Sequence, residues 1–248
     1  IQCCLVGSEM CIRDRNNPHP QKGFLYNGAK NPDLDRFFLS PSHYALTLYA
    51  ALIETKRLND KSLKEFNKDG SVLDMIGSEH SPGHETNGGS FGQTISQAAG
   101  VAWARRRKKE KGLVWLFLSD GEFQEGQTWE ALMSMAFHKI SNLKIVVDVN
   151  GQQVDGKTCD VMNLEPLLEK ISSFGACVKQ VDGHDLVALN NAFRTIHHDK
   201  PLVVLAKTSP FRGMEILEKR YPFLHYVRFK DENEKEEFKS FLNDMKLR

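Results

Sequence analysis

Two short apolar runs, residues 113–118 and 144–149, restrict this chain more than any other feature in it. Each is the length of one buried strand, and residues 128–139 between them carry helical spacing. Two strands joined through a helix form a crossover unit, which makes the strands parallel and puts both carboxyl ends on one edge of a sheet. Open α/β sheets bind ligands along that edge. The first run ends in Ser119-Asp120-Gly121 and the second in Asn150-Gly151. Asp120 and Asn150 are therefore expected as neighbours, offering a carboxylate and an amide oxygen to one point. Hard oxygen ligands of this kind suit Mg²⁺, which takes few protein groups and completes its octahedron with ligand phosphate and water.

Strand and helix patterns alternate through the rest of the chain. A short strand enters a helix over residues 43–57, and a second helix covers 93–107. Beyond the central unit come a helix over 164–174, a strand over 176–181, a helix over 186–197 and a strand over 202–206. This order predicts an open, mostly parallel sheet with helices on both faces. Trp129, Met133, Met135 and Phe137 read as core, and Trp103 as core or subunit interface. A charged amphipathic helix, with Phe238, Phe241, Leu242 and Met245 on one face, is expected from residue 230 onward.

Composition narrows the partners. Lys and Arg number 33 against 32 Asp and Glu, with the signs interspersed, which argues against a nucleic acid bound through a broad basic face. The basic run Arg105-Arg106-Arg107-Lys108-Lys109 closes a helix, where cations offset the helix dipole. No apolar run approaches the ~20 residues of a membrane helix, so no membrane partner is expected. Five cysteines, without metal or disulfide spacing, fit a reducing compartment and a cytoplasmic location. The opening IQCCLVGSEMCIRDR resembles translated sequencing-adapter sequence. Residues 1–15 are accordingly set aside as a non-native leader, and 16–248 are taken as one cofactor-binding domain truncated at its start.

The motifs carry a family resemblance. The strings D-G-E-F-Q-E-G-Q-T-W-E-A from Asp120 and V-D-V-N-G-Q-Q-V-D-G up to Gly156 resemble transketolases, especially those divided between two subunits. Asp-Gly-Glu followed some thirty residues later by Asn is similar to the thiamine-diphosphate motif. Ser119 stands where the family has Gly. The resemblance implies that Asp120, Asn150 and the backbone carbonyl of Gln152 hold Mg²⁺, and that the Gly121 amide meets the diphosphate. Ser40-Pro41-Ser42-His43 resembles the family's S-x-G-H, whose histidine reaches the diphosphate; helix capping is the plainer reading of His43. Ser81-Pro82-Gly83-His84-Glu85 and Gly88-Gly89-Ser90-Phe91-Gly92-Gln93 resemble T-P-G-H-P-E and T-G-P-L-G-Q. There the residue matching His84 contacts substrate hydroxyls, and the turn matching Gly89 and Phe91 cradles the aminopyrimidine. Glu122 is expected beside the cofactor, and Glu125 at a dimer interface; two acids near a helix start would also be favoured by its dipole alone. His225 could match a histidine that binds diphosphate and substrate.

In this family the cofactor performs the chemistry and protein groups position it. The resemblance implies transfer of a two-carbon ketol unit between sugar phosphates. It also implies a partner, because the glutamate that activates the pyrimidine ring lies in a second, pyrimidine-binding domain. The chain after Lys207 has no room for one. A carboxy-terminal, pyrimidine-binding subunit is expected, in a homodimer or heterotetramer. The alternatives are a subunit of a thiamine-dependent 2-oxo acid decarboxylase or dehydrogenase, and a non-catalytic homologue.

Overall fold

A computed structural model describes residues 31–225 and 228–246. The expected leader, residues 1–15, lies outside the described residues. In chain order the elements are β1 (Arg36–Leu39), α1 (Ala45–Glu54), α2 (Gln93–Arg107), β2 (Val114–Ser119), α3 (Gly126–Phe137) and β3 (Leu143–Val149). There follow β4 (Gln152–Gln153), β5 (Gly156–Lys157), α4 (Thr158–Val161), α5 (Leu167–Ser173), β6 (Cys177–Asp182), α6 (Leu186–Phe193), β7 (Leu202–Lys207) and α7 (Glu232–Lys246). Short 3₁₀ segments precede α1 (Ser42–Tyr44) and α3 (Asp120–Gln124). The chain divides into two compact units, the first comprising Ile1–Val149 and Leu164–Thr208, the second Asn150–Asn163 and Ser209–Arg248.

The first unit holds a five-stranded sheet in the order β1-β2-β3-β7-β6, every pair parallel. Side chains alternate across a strand, so one apolar run supplies both faces. Val114, Leu116 and Leu118 of β2 point to one side with Leu143, Ile145 and Val147 of β3, and meet α2, α3 and α5. Trp115, Phe117 and Val146 point to the other side and meet Leu48, Tyr49 and Leu52 of α1 and Leu189 and Phe193 of α6. All six residues of β2 are buried. This is the expected α/β sheet with helices on both faces.

The helices follow the predicted pattern with corrections at their margins. On α3 the buried stripe is Thr128, Ala131, Leu132 and Met135, a run of i, i+3, i+4, i+7. Met133 and Phe137, expected in the core, are 53% and 81% exposed. They lie two residues from Met135 on either side, and residues i and i+2 face nearly opposite ways on a helix. Trp103 also lies outside the core, its ring 5.1 Å from that of His138. The helix expected over 164–174 begins later, at Leu167, because Pro166 occupies its N-cap. The helix expected to reach 197 stops at Phe193, where its buried stripe of Leu189, Ala192 and Phe193 ends. At its start the Asp185 carboxylate accepts from the amides of Val187 (2.9 Å) and Ala188 (3.0 Å), a conventional cap.

In the second unit, β4 and β5 form an antiparallel hairpin, Gln152 opposite Lys157 and Gln153 opposite Gly156. The Asn150 side-chain oxygen accepts from the Gln152 amide at 2.9 Å, fixing the turn that opens it. Helix α7 is tied to the segment Glu215–Arg220 by the pairs Arg220–Glu234 (2.5 Å) and Lys219–Glu237 (2.7 Å). Among the described residues no helix is long and apolar enough to cross a membrane.

The two faces of α3 and the central strand give a direct test of this packing. Leu116→Ala, at a position with 0% exposure, should lower stability by about 2–5 kcal/mol. Phe137→Ala should change it by no more than about 0.5 kcal/mol. Urea midpoints at unchanged slope measure both.

Candidate functional site

The carboxyl ends of β1, β2, β3 and β7 share one edge of the sheet, and the register is tight. Ser119 of β2 pairs with Asp148 of β3, so Asp120 follows directly at the tip of β2. The Asp120 side chain is buried, with 3% exposure. A carboxylate withdrawn from water at a strand tip calls for compensating donors or a cation.

Glu122 organises the loops around that tip. Its Oε2 accepts from Ser40 Oγ at 2.6 Å and from the Gly92 amide at 3.3 Å, and its Oε1 accepts from the Ser119 amide at 3.3 Å. One carboxyl group thus joins the end of β1, the glycine-rich turn and the end of β2. Thr128 Oγ1 donates to the Glu122 carbonyl at 2.6 Å, joining α3 to the same point. Gly92 serves this arrangement with a left-handed φ of +79°, and a Cβ there would come within 2.9 Å of Glu125 Cβ. Burial pushes the Glu122 carboxyl from 4.5 up to about 7, although the Ser40 hydroxyl and the two amides pull the other way.

The glycine-rich turn lies against the loop after β1. A Cβ on Gly88 would sit 2.3 Å from Ser42 Oγ and 2.9 Å from the Ser40 carbonyl oxygen, so only glycine allows this approach. Gly89 has a φ of +109°. Phe91 projects from the turn between two other predicted residues. Its ring centroid is 5.9 Å from that of His43, and its edge is 3.7 Å from where a Gly121 Cβ would lie. His43, Phe91 and Gly121 are therefore brought together. His43 is exposed and belongs to the 3₁₀ segment before α1 rather than to the helix itself. Pro41 holds the preceding backbone at φ −73°, and the regular helix starts at Ala45.

His84 sits differently. It is 1% exposed, its ring 6.3 Å from that of Tyr49 and pressed against Gly77 so closely that a Cβ there would overlap it. Burial lowers its pKa from 6.5 to about 4, so the imidazole is neutral at pH 7. Asn150, Gln152 and His225 belong to the second unit, where His225 is exposed. Among the described residues no group of three or more His, Cys, Asp or Glu side chains is placed to hold a metal. A site built on an acid, an amide and a backbone carbonyl contains no such group.

The sequence reading missed four residues at this edge. Ser40 is the hydroxyl donor to Glu122. Asp148 accepts from Thr208 Oγ1 at 2.5 Å and from the Tyr44 hydroxyl at 3.2 Å. The available signal was an acid in the run Ile145-Val146-Val147-Asp148-Val149, since a carboxylate in a buried strand must find donors.

Comparison with known proteins agrees with this architecture. Residues 22–214 match the family model described as transketolase, thiamine diphosphate binding domain. A transketolase family protein of Sinorhizobium fredii is 43% identical over 190 residues, covering 75% of this chain and 68% of that protein. One of the subunits of an apulose-4-phosphate transketolase, from Actinobacillus succinogenes, is 32% identical over 206 residues, covering 82% of this chain and 75% of the relative. The crystal structure of transketolase from Campylobacter jejuni superposes with a TM-score of 0.66 at 22% identity, over 84% of this chain and 36% of that one. At that identity the likeness concerns the fold, and the chain spans about a third of the solved protein.

The two buried titratable groups oppose each other in pH. Glu122 binds its proton more tightly folded than unfolded, so its contribution to stability falls as pH rises from about 4.5 to 7. His84 binds its proton less tightly folded, so its contribution is lost as pH falls from about 6.5 to 4. Glu122→Gln should leave the histidine unopposed. Stability of the variant should then rise with pH between 4.5 and 6.5, by at most about 1.4 kcal/mol per pH unit more than wild type. Chemical denaturation across that range measures the difference in slope.

Proposed function

Because this chain belongs to the transketolase family, through its amino-terminal thiamine-diphosphate-binding part, we propose that it supplies the diphosphate and metal half of a site for two-carbon ketol transfer between sugar phosphates. The observation that carries this reading is the assembly at the sheet edge. Buried Asp120 stands at the tip of β2, next to Gly121 in the cluster of His43, Phe91 and Gly121, while Glu122 ties together the adjoining Ser40, Gly92 and Ser119. The residues present fit the cofactor. Ser42 Oγ is buried without a hydrogen-bond partner among the described residues, and it lies against the glycine turn, where a ligand oxygen would satisfy it.

Thiamine diphosphate, when bound, supplies the carbon nucleophile and the electron sink for breaking and forming the carbon–carbon bond. The chain's own groups bind and orient. Asp120, Asn150 and the Gln152 carbonyl are the proposed Mg²⁺ ligands, a set resting on the motif. His43 and the Gly121 amide take the diphosphate, and Gly89 and Phe91 border the pyrimidine. Glu122 acts one layer below, holding Ser40, Gly92 and Ser119 in place. His84, uncharged at neutral pH, offers one donor and one acceptor to substrate hydroxyls. Its loop has to open for a sugar to reach it. His225 is proposed for the phosphate-bearing side.

The partner in this reading is a pyrimidine-binding subunit. Relatives of this chain are named as subunits of an apulose-4-phosphate transketolase and of a 6-deoxy-6-sulfo-D-fructose transketolase, which supports a two-chain enzyme. A second reading is favoured by the burial of His84: a subunit that binds the cofactor without transferring ketol units.

Isothermal titration with thiamine diphosphate and Mg²⁺ tests the proposal. Asp120→Ala and Asn150→Ala should each weaken cofactor binding by at least the ~100-fold that changes outside the ligand shell can reach. Binding that ignores both substitutions removes the metal site. Tight binding with no ketol transfer in the presence of a pyrimidine-binding subunit selects the second reading.

A further inference from the structure

His43 is exposed and lies on a short 3₁₀ turn, so neither burial nor a regular helix fixes its ring. Any side chain that grips an anion must be ordered, and ordering it beforehand strengthens binding. The structure instead places the ring between two others. Tyr44 meets it edge-on, with centroids 4.8 Å apart at 86°, and Phe91 lies at 5.9 Å and 36° on a separate loop.

Tyr44 is itself held at both ends. Its ring packs at 5.9 Å from that of Phe117 in β2. Its hydroxyl donates to Asp148 Oδ2 at 3.2 Å, while Asp148 Oδ1 accepts from Thr208 Oγ1 at 2.5 Å. The Thr208 amide also donates to the Val149 carbonyl at 3.1 Å, so the acceptor stands on a fixed pair of strand ends. An unbroken series of contacts runs from the end of β7 through Asp148 and Tyr44 to His43. Every member belongs to the first unit.

We propose that Tyr44 and Asp148 are positioning residues for His43: the buried Asp148 carboxylate anchors the Tyr44 hydroxyl, and the anchored ring presets the imidazole against Phe91 for an incoming diphosphate. This rests on the reading of His43 as a diphosphate ligand, and it assigns a job to two residues that stand behind His43 in the series of contacts. The packing of Tyr44 on Phe117 needs no hydroxyl on that ring, and buried Asp148 already accepts from Thr208 Oγ1, so the Tyr44 hydroxyl is its second donor. The hydroxyl is what distinguishes a positioning role from plain core packing, so Tyr44→Phe is the informative substitution.

Two measurements on the full chain separate the ideas. In ¹H–¹³C spectra of the histidine rings without cofactor, the His43 signal is identified by its loss in His43→Gln. Tyr44→Phe and Asp148→Asn should each shift and broaden that signal while leaving the His84 signal in place. An unmoved His43 signal in both variants overturns the positioning role. In calorimetric titration with thiamine diphosphate and Mg²⁺, Tyr44→Phe should weaken binding roughly threefold to tenfold, the effect of one hydrogen bond. Added to His43→Gln, it should weaken binding no further, because residues acting through one another are not additive. An equal loss with and without His43 means that Tyr44 acts elsewhere, and the proposal fails. If His43→Gln leaves affinity untouched, the diphosphate reading of His43 fails, while the ring spectra still judge the positioning.

Discussion

One buried carboxyl group decides the shape of the sheet's working edge. Glu122 receives hydrogen bonds from three stretches of chain that sequence keeps far apart: Ser40 after β1, Gly92 at the glycine turn and Ser119 at the end of β2. Loops at a sheet edge ordinarily vary and move, because few of their groups have fixed partners. Here the loops share an acceptor inside the protein, and their positions are mutually determined. Fully satisfied buried polar groups specify one arrangement, whereas a partly satisfied one would destabilise it. Asp120, Gly121 and Phe91 lie next to these anchored points in the chain.

Much of the fold was legible because its strongest signals are local. Buried parallel strands are continuous apolar runs, and β2 and β3 lie within a residue of the runs that announced them. Periodicity misled where it was judged by residue type rather than by angle. Met133 and Phe137 are as apolar as Met135, but they face away from it, and the buried stripe of α3 passes through Ala131 and Leu132 instead. Helix ends were harder to read. They depend on where a buried stripe runs out, as at Phe193, or on a single proline, as at Pro166, and neither alters the average pattern around it.

The site divides in the same way. His43, Phe91 and Gly121, singled out by their neighbours in the chain, meet through adjoining loops. The bracing contacts were not singled out in this way. Ser40 and Glu122 are 82 positions apart, and Tyr44 and Asp148 are 104 apart. No spacing rule connects such pairs, because their meeting is set by the order of strands in the sheet. His84 shows the opposite case: its motif suggests a ligand-facing side chain, while the loop folds it inward against Gly77 and Tyr49.

The strand order has a consequence for how the chain acquires its shape. β7 is synthesised after β6 yet lies between β6 and β3. While a ribosome is still making the chain, the segment Cys177–Asp182 has no neighbour to pair with until Leu202–Lys207 has emerged. The first three strands can assemble early, but the far edge of the sheet must wait for an insertion into its middle. During that interval the buried faces of β3 and α6 are open to other chains, the condition under which newly made α/β proteins aggregate.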